Sequence, residues 1–229
     1  MSILSVRALS RTYHQGTQTI RALDGVDFNV DAGEFTALMG PSGSGKTTLL
    51  NLIGGLDRPT SGVVEVEGRP LRGLSPGALS DLRLHRIGFV FQSYNLIPVL
   101  SAYENTEFVL ALQGVPAAER RERAMRTLAA VGLAGMEGRR PSELSGGQQQ
   151  RVAVARAIAG DPALVLADEP TANLDSHTGA ELIELMARLN ADQGVTFVFS
   201  THDPKVQEAA RRVVRLVDGR IDGDEQRAP

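Results

Sequence analysis

Gly40-Pro41-Ser42-Gly43-Ser44-Gly45-Lys46-Thr47 is the stretch on which the fold turns. It meets the pattern G-x-x-x-x-G-K-[ST]. It also sits where that pattern has physical meaning, between an apolar strand, Phe35-Thr36-Ala37-Leu38-Met39, and an apolar helix read from Thr47 to Leu56. Glycines at 40, 43 and 45 let backbone N–H groups turn inward around phosphate oxygens without Cβ clashes, and the helix start adds its positive end. Lys46 is expected to reach the β- and γ-phosphates of a nucleoside triphosphate, and the Thr47 hydroxyl to ligate Mg²⁺. Pro41, Ser42, Ser44 and Thr48 complete the candidate phosphate cradle.

On the N-terminal side, Ile3 to Leu9, Ile20 to Leu23 and Val26 to Val30 alternate apolar with polar residues, with turns expected at Gly16 and Asp24-Gly25. Val63 to Gly68 returns as a half-exposed strand. From about Leu79 to Ile158 the pattern turns largely helical, including an Arg/Glu/Ala-rich helix opened at Pro116 and stopped at Gly132. Strand character resumes at Leu164 to Ala167 and Thr196 to Ser200, on either side of a helix over Gly179 to Asn190. Val213 to Ile221 reads as a hairpin turned at Asp218-Gly219, and Asp222 to Pro229 as a frayed polar tail. Parallel strands that resume after a helical stretch predict an α/β chain. Its parts are a P-loop NTPase core with a mainly parallel sheet, an N-terminal antiparallel β-subdomain and an inserted helical subdomain.

The 229 residues suffice for one large domain, and a 42% hydrophobic content can fill its core. A formal net charge of -3 gives no electrostatic reason to expect nucleic acid as a partner. Cysteine is absent, which excludes disulfides and thiolate metal sites. The first residues meet charge too early for a signal peptide, and no apolar stretch reaches the roughly 18 residues of a membrane helix. A soluble, cytoplasmic chain is expected.

Other residues belong with the phosphate loop. Leu164-Val165-Leu166-Ala167-Asp168-Glu169 is an apolar strand ending in two carboxylates, Asp168 suited to hold Mg²⁺ and Glu169 to polarise an attacking water. Paired acids at a strand end are by themselves equally good solvated turn residues. Leu144-Ser145-Gly146-Gly147-Gln148 precedes a helix over Gln149 to Ala159. It serves either as a plain capped helix start or as a second anion-binding device. Gln92 and His202 each follow an apolar run, which brings an amide and an imidazole to strand ends, although single residues of this kind are usually structural. Tyr13 either stacks on an adenine or fills a half-buried place in the hairpin.

In this order, these motifs resemble the ATP-binding-cassette (ABC) ATPases over nearly the whole chain, from about Ile3 to Ile221. The resemblance makes Gly40 to Thr47 the Walker A motif, Gln92 the glutamine loop, Leu144 to Gln148 the signature, Asp168 the end of Walker B, Asn173-Leu174-Asp175 the D-loop, His202 the switch histidine and Tyr13 the aromatic of the A-loop. It implies ATP and Mg²⁺ as ligands, with Thr47, Gln92 and Asp168 at the metal. It further implies catalysis by Glu169 with His202, Gln92 and Lys46, and a homodimer that sandwiches ATP between the Walker A of one copy and the Ser145 region of the other. Asp175 would connect the two sites. One domain over 1–229 is expected, with about 1–92 and 160–229 as catalytic core and about 93–159 as the helical part carrying the signature. Asn51 to Gly62 and Asn95 to Asn105 are similar to the lipoprotein-release and macrolide-export (LolD/MacB) group, whose bacterial members pair with an integral membrane permease subunit. Such a chain is peripheral on the inner face of the membrane. A cell-division-type or soluble ABC ATPase is the alternative. The surface between Gln92 and about Gln113, with the apolar set Leu96, Ile97, Val99, Leu100 and Tyr103, is expected to hold the cytoplasmic helix of the membrane subunit, part of the set docking and part buried.

Overall fold

The computed structural model describes residues 2–202 and 208–227. At its centre is a six-stranded sheet made of β3 (Phe35–Met39), β6 (Ile87–Phe91), β7 (Leu164–Asp168), β8 (Phe197–Thr201), β9 (Arg212–Val217) and β10 (Arg220–Gln226), in the order β10-β9-β3-β8-β7-β6. All neighbours are parallel except β9 and β10. The middle strands are covered on both faces, so they read as continuous apolar runs, and all five residues of β8 are buried.

Alternation within those runs still assigns faces. Ala37, Val165, Ala167 and Phe199 join the core under α5 (Gly146–Ala159) and α6 (Ser176–Gln193), whereas Leu38, Leu166 and Val198 join the core around α1 (Lys46–Ile53). The register pairs Met39 with Thr201, Phe91 with Asp168 and Asp168 with Ser200. The phosphate loop, Gln92, Glu169 and His202 therefore all leave the sheet at its carboxyl edge, the usual ligand edge of an open α/β sheet.

A second, antiparallel sheet of β1 (Ser2–Gln15), β2 (Gln18–Asp31), β4 (Ser61–Val66) and β5 (Arg69–Pro70) runs in the order β2-β1-β4-β5. Its inner face, with Leu4, Val6, Leu9, Phe28 and Val64, packs on the same core as Leu49, Leu52 and Ile53 of α1. The turn expected at Asp24-Gly25 is instead a bulge inside one long strand. Gly25 takes φ +68, its N–H donates to Ser10 Oγ, and the β1–β2 register shifts nearby. On the other side α2 (Pro76–Arg86) leads into β6, and α3 (Ala102–Leu112) and α4 (Ala117–Ala130) pack with α5.

The tail expected to fray from Asp222 forms β10 as far as Gln226; Ala228 and Pro229 lie outside the described residues. Arg212 is the reason. Its buried guanidinium donates to both Asp224 oxygens, at 2.8 and 2.7 Å, to Glu34 Oε2 at 2.9 Å and to the Asn29 carbonyl at 2.7 Å. This one side chain pins the last strand to both sheets. Arg212→Met is expected to cost roughly 2–4 kcal/mol, read as a lower denaturant midpoint. The Arg212 hydrogen bond holds the Asp224 carboxyl below its ordinary range. A depressed acid stabilises the fold above its unfolded pKa and ceases to do so as pH falls through its folded one. The gap between wild type and variant should therefore narrow on acidification below about pH 4.

Candidate functional site

The phosphate loop is shaped by its neighbours. A Cβ on Gly40 would lie 2.1 Å from the Leu216 carbonyl oxygen of β9, and one on Gly45 (φ +105) would lie 2.5 Å from that of Ala22 in β2. Only glycine fits at either position, because both contacts are with backbone that cannot swing aside. The helix then begins at Lys46 with no side-chain cap, leaving its first N–H groups to a ligand.

Lys46 is 7% exposed, and its ammonium donates to the carbonyls of Gly40 at 2.8 Å and Pro41 at 3.1 Å while standing 3.8 Å from Glu169 Oε1. Thr47 Oγ1 donates to Asp168 Oδ1 at 3.1 Å. That same oxygen accepts from Ser200 Oγ at 2.7 Å, and Ser200 Oγ in turn accepts from the Glu169 N–H at 2.9 Å. Glu169 has φ +46, the left-handed region that a non-glycine residue enters only when its surroundings hold it there. Its Oε2 lies 2.9 Å from His202 Nδ1. An open cavity of about 710 Å³ joins the phosphate loop, Thr48, Gln92, Glu169 and His202. A hydroxyl and a carboxylate 3.1 Å apart, with an amide on the rim, are hard oxygen donors that suit Mg²⁺ completed by phosphate oxygens and water.

Other expected site residues lie apart from this cavity. Ser145 caps α5, with Oγ accepting from Gln148 N–H at 3.3 Å and Gln148 Oε1 accepting from Ser145 N–H at 3.0 Å. Asp175 caps α6, accepting from the N–H groups of His177 and Thr178, and the Thr178 hydrogen bond holds its carboxyl below the ordinary range. None of Ser145, Gly146, Gly147, Gln148 or Asp175 lines the phosphate cavity of its own chain. Tyr13 points its hydroxyl to Asp57 Oδ2 at 2.8 Å, and the Arg11 guanidinium grips Asp57 and lies 4.4 Å from the Tyr13 ring centre. Its cross-strand neighbour Ile20 is the one that lines the cavity.

Sequence reasoning missed Ser200 and Arg156. Ser200 is a fully buried polar residue in an apolar strand, which is the signal that could have found it. Arg156 is half-buried on α5 and donates to the carbonyls of Tyr94 and Asn95, two residues with positive φ just past Gln92. The structure divides the expected apolar set between core and surface. Leu96 and Tyr103 pack against the core, Val99 is 70% exposed, and other exposed apolar side chains are Phe108 at 43%, Leu112 at 58% and Leu56 at 48%. The last three line one groove with Phe89 and Phe91.

Residues 23–172 match the ABC transporter family. The lipoprotein-releasing system ATP-binding protein LolD of Anaeromyxobacter dehalogenans is 49% identical over 222 residues, covering 96% of this chain and 93% of the relative. A macrolide export ATP-binding/permease protein MacB of Syntrophobacter fumaroxidans is 46% identical over 224 residues, and there the chain spans only 31% of the relative's length. Among solved structures, a dimeric post-hydrolysis state of the ATP-binding cassette MJ0796 bound to ADP and Pi superposes with a TM-score of 0.90. It is 42% identical and covers 99% of both chains.

Proposed function

This chain belongs to the ABC transporter family, and on that footing we propose how its site works and what it drives. It is an ATP-hydrolysing subunit that powers a separate membrane subunit. The observation that carries the reading is the convergence of Lys46, Thr47, Glu169 and His202 on one cavity at the carboxyl edge of the sheet, with Asp168 hydrogen-bonded to Thr47.

The phosphate loop N–H groups and Lys46 bind the triphosphate of ATP, Lys46 exchanging its carbonyl partners for phosphate oxygens. Mg²⁺, held by Thr47, Asp168 and Gln92, would supply charge neutralisation between the phosphates. Glu169 orients a water and takes its proton, and His202, already on the Glu169 carboxylate, turns toward the γ-phosphate. Tyr13, held to Asp57 outside the cavity beside its cross-strand neighbour Ile20, which lines it, stacks on the adenine at the cavity's edge. Turnover in a phosphate-release assay should vanish on chelation of Mg²⁺ and fall in Thr47→Val. Undiminished hydrolysis in excess chelator would sink the metal assignment.

Two copies close head to tail around two ATP molecules, each between one Walker A and the Ser145 motif of the partner. That reading is supported by the Ser145 motif lying outside its own chain's cavity and by the likeness to a dimeric cassette. Residues 93–159 act as the helical part on a core of 1–92 and 160–229. The membrane partner is supported by relatives named as the ATP-binding parts of release and export systems. Among the described residues no helix is long and apolar enough to cross a membrane; a place at the cytoplasmic face beside that partner is supported by the same relatives. The groove of Leu56, Phe108 and Leu112 receives a cytoplasmic helix of that partner. Phe108→Glu and Leu112→Glu should spare ATPase activity of the free chain and abolish its co-fractionation with membranes of its own cell. Retained co-fractionation would move the docking surface elsewhere.

A further inference from the structure

We propose that Gln150 is a positioning residue that ties the signature helix α5 to the two backbone segments carrying Gln92 and Glu169. The proposal rests on the reading of Glu169 as the residue that activates water. Gln150 lies one turn into α5, is 0% exposed, and takes no part in the capping of Ser145. Its Nε2 donates to the Pro170 carbonyl at 2.8 Å and to the Phe91 carbonyl at 3.3 Å. Two acceptors facing one end of the amide fix which end carries the nitrogen. Its Oε1 meets no donor among the described residues. An acceptor buried without a partner is unfavourable, and a residue kept at that cost invites a functional explanation.

The carbonyls that Gln150 holds explain it. The Phe91 carbonyl belongs to the peptide that continues into Gln92. The Pro170 carbonyl follows Glu169, whose backbone is in the left-handed region. On its other side the Glu169 N–H is held by Ser200 of β8. The strained residue is thus fixed between two hydrogen bonds, one from β8 and one from α5. The helix is also rigidly seated. A Cβ on Gly88 of β6 would lie 2.4 Å from the Ala157 carbonyl, and Arg156 holds Tyr94 and Asn95. A shift of α5, whose Ser145 end does not line its own chain's cavity, must therefore move the backbone around Glu169 and Gln92 together. Neither catalytic side chain needs to be touched.

The test is steady-state and single-turnover ATP hydrolysis by the full chain carrying Gln150→Met, which keeps the volume and removes both donors, and Gln150→Glu. Buried among carbonyls, that carboxyl stays neutral and keeps one donor. We expect kcat to fall about tenfold in Gln150→Met, with KM for ATP within about twofold of wild type, and to be intermediate in Gln150→Glu. In a Glu169→Gln background the Gln150→Met change should cost nothing more in single turnover, because both act through one group. A wild-type kcat in a folded Gln150→Met chain overturns the proposal. So does a loss that persists unchanged in the Glu169→Gln background, or a Gln150→Glu chain no better than Gln150→Met. Should Gln150→Met lack a cooperative thermal transition, Gln150→Glu carries the comparison alone, expected below wild-type kcat with unchanged KM. Undiminished turnover in Glu169→Gln by itself would instead remove Glu169 from its role and leave the Gln150 contacts to another explanation.

Discussion

Glu169→Gln is expected to lower steady-state ATP turnover by about 10³-fold, within the range attributed to a general base, while leaving ATP binding intact. The amide preserves the shape of the side chain and can still meet His202, now 2.9 Å from the carboxylate. It cannot accept a proton from water. Lys46 loses an anionic neighbour 3.8 Å away but keeps its two loop carbonyls, so the phosphate cradle is undisturbed. With binding kept and hydrolysis blocked, ATP should hold the closed dimer, seen as an ATP-dependent shift in size-exclusion chromatography. Wild-type phosphate release from the variant would remove Glu169 from the mechanism. A monomer in saturating ATP would count against the sandwich instead.

Mixing two inactive variants should restore activity. Lys46→Ala removes the ammonium from the phosphate loop, and Ser145→Arg places a bulky cation where the partner's nucleotide is proposed to meet α5. Each homodimer is expected to lose turnover by at least about 100-fold, because both of its sites carry the defect. In a mixed dimer one site combines both defects and the other combines two unmodified halves. Equal mixing makes half the dimers mixed, so activity should recover to about a quarter of wild type. Ser145 also caps α5, and losing that cap costs about 1 kcal/mol, too little to unfold the chain. ATP affinity of the Ser145→Arg monomer should be unchanged. No recovery on mixing would mean that Ser145 serves its own chain's nucleotide.

Much of the architecture was legible because it is written in local patterns. The phosphate loop announces itself through glycine spacing between an apolar strand and a helix, and Asp168-Glu169 through a buried run that ends in charge. Ser145 reads as a cap because the hydroxyl and Gln148 lie within one turn of each other. Each of these signals spans fewer than about ten residues and needs no knowledge of what packs nearby. The two misreadings at Gly25 and Asp222 came from the same locality. An Asp-Gly pair reads as a turn unless a neighbouring strand absorbs it as a bulge, and a polar tail reads as frayed unless Arg212 waits for it twelve residues away.

Amino-acid order by itself determined the nucleotide-binding class and pointed to the residues proposed to meet phosphate, metal and water. Only the tertiary structure decided that Ser200 bridges Asp168 and Glu169, that Gln150 grips the carbonyls beside Gln92 and Glu169, and that Tyr13 stands against Asp57 rather than free. Those contacts join residues 20 to 59 positions apart. Side-chain periodicity says which face of an element is buried. Which donor on that face meets which carbonyl depends on strand order and register, and these follow from how the helices fill the space between two sheets.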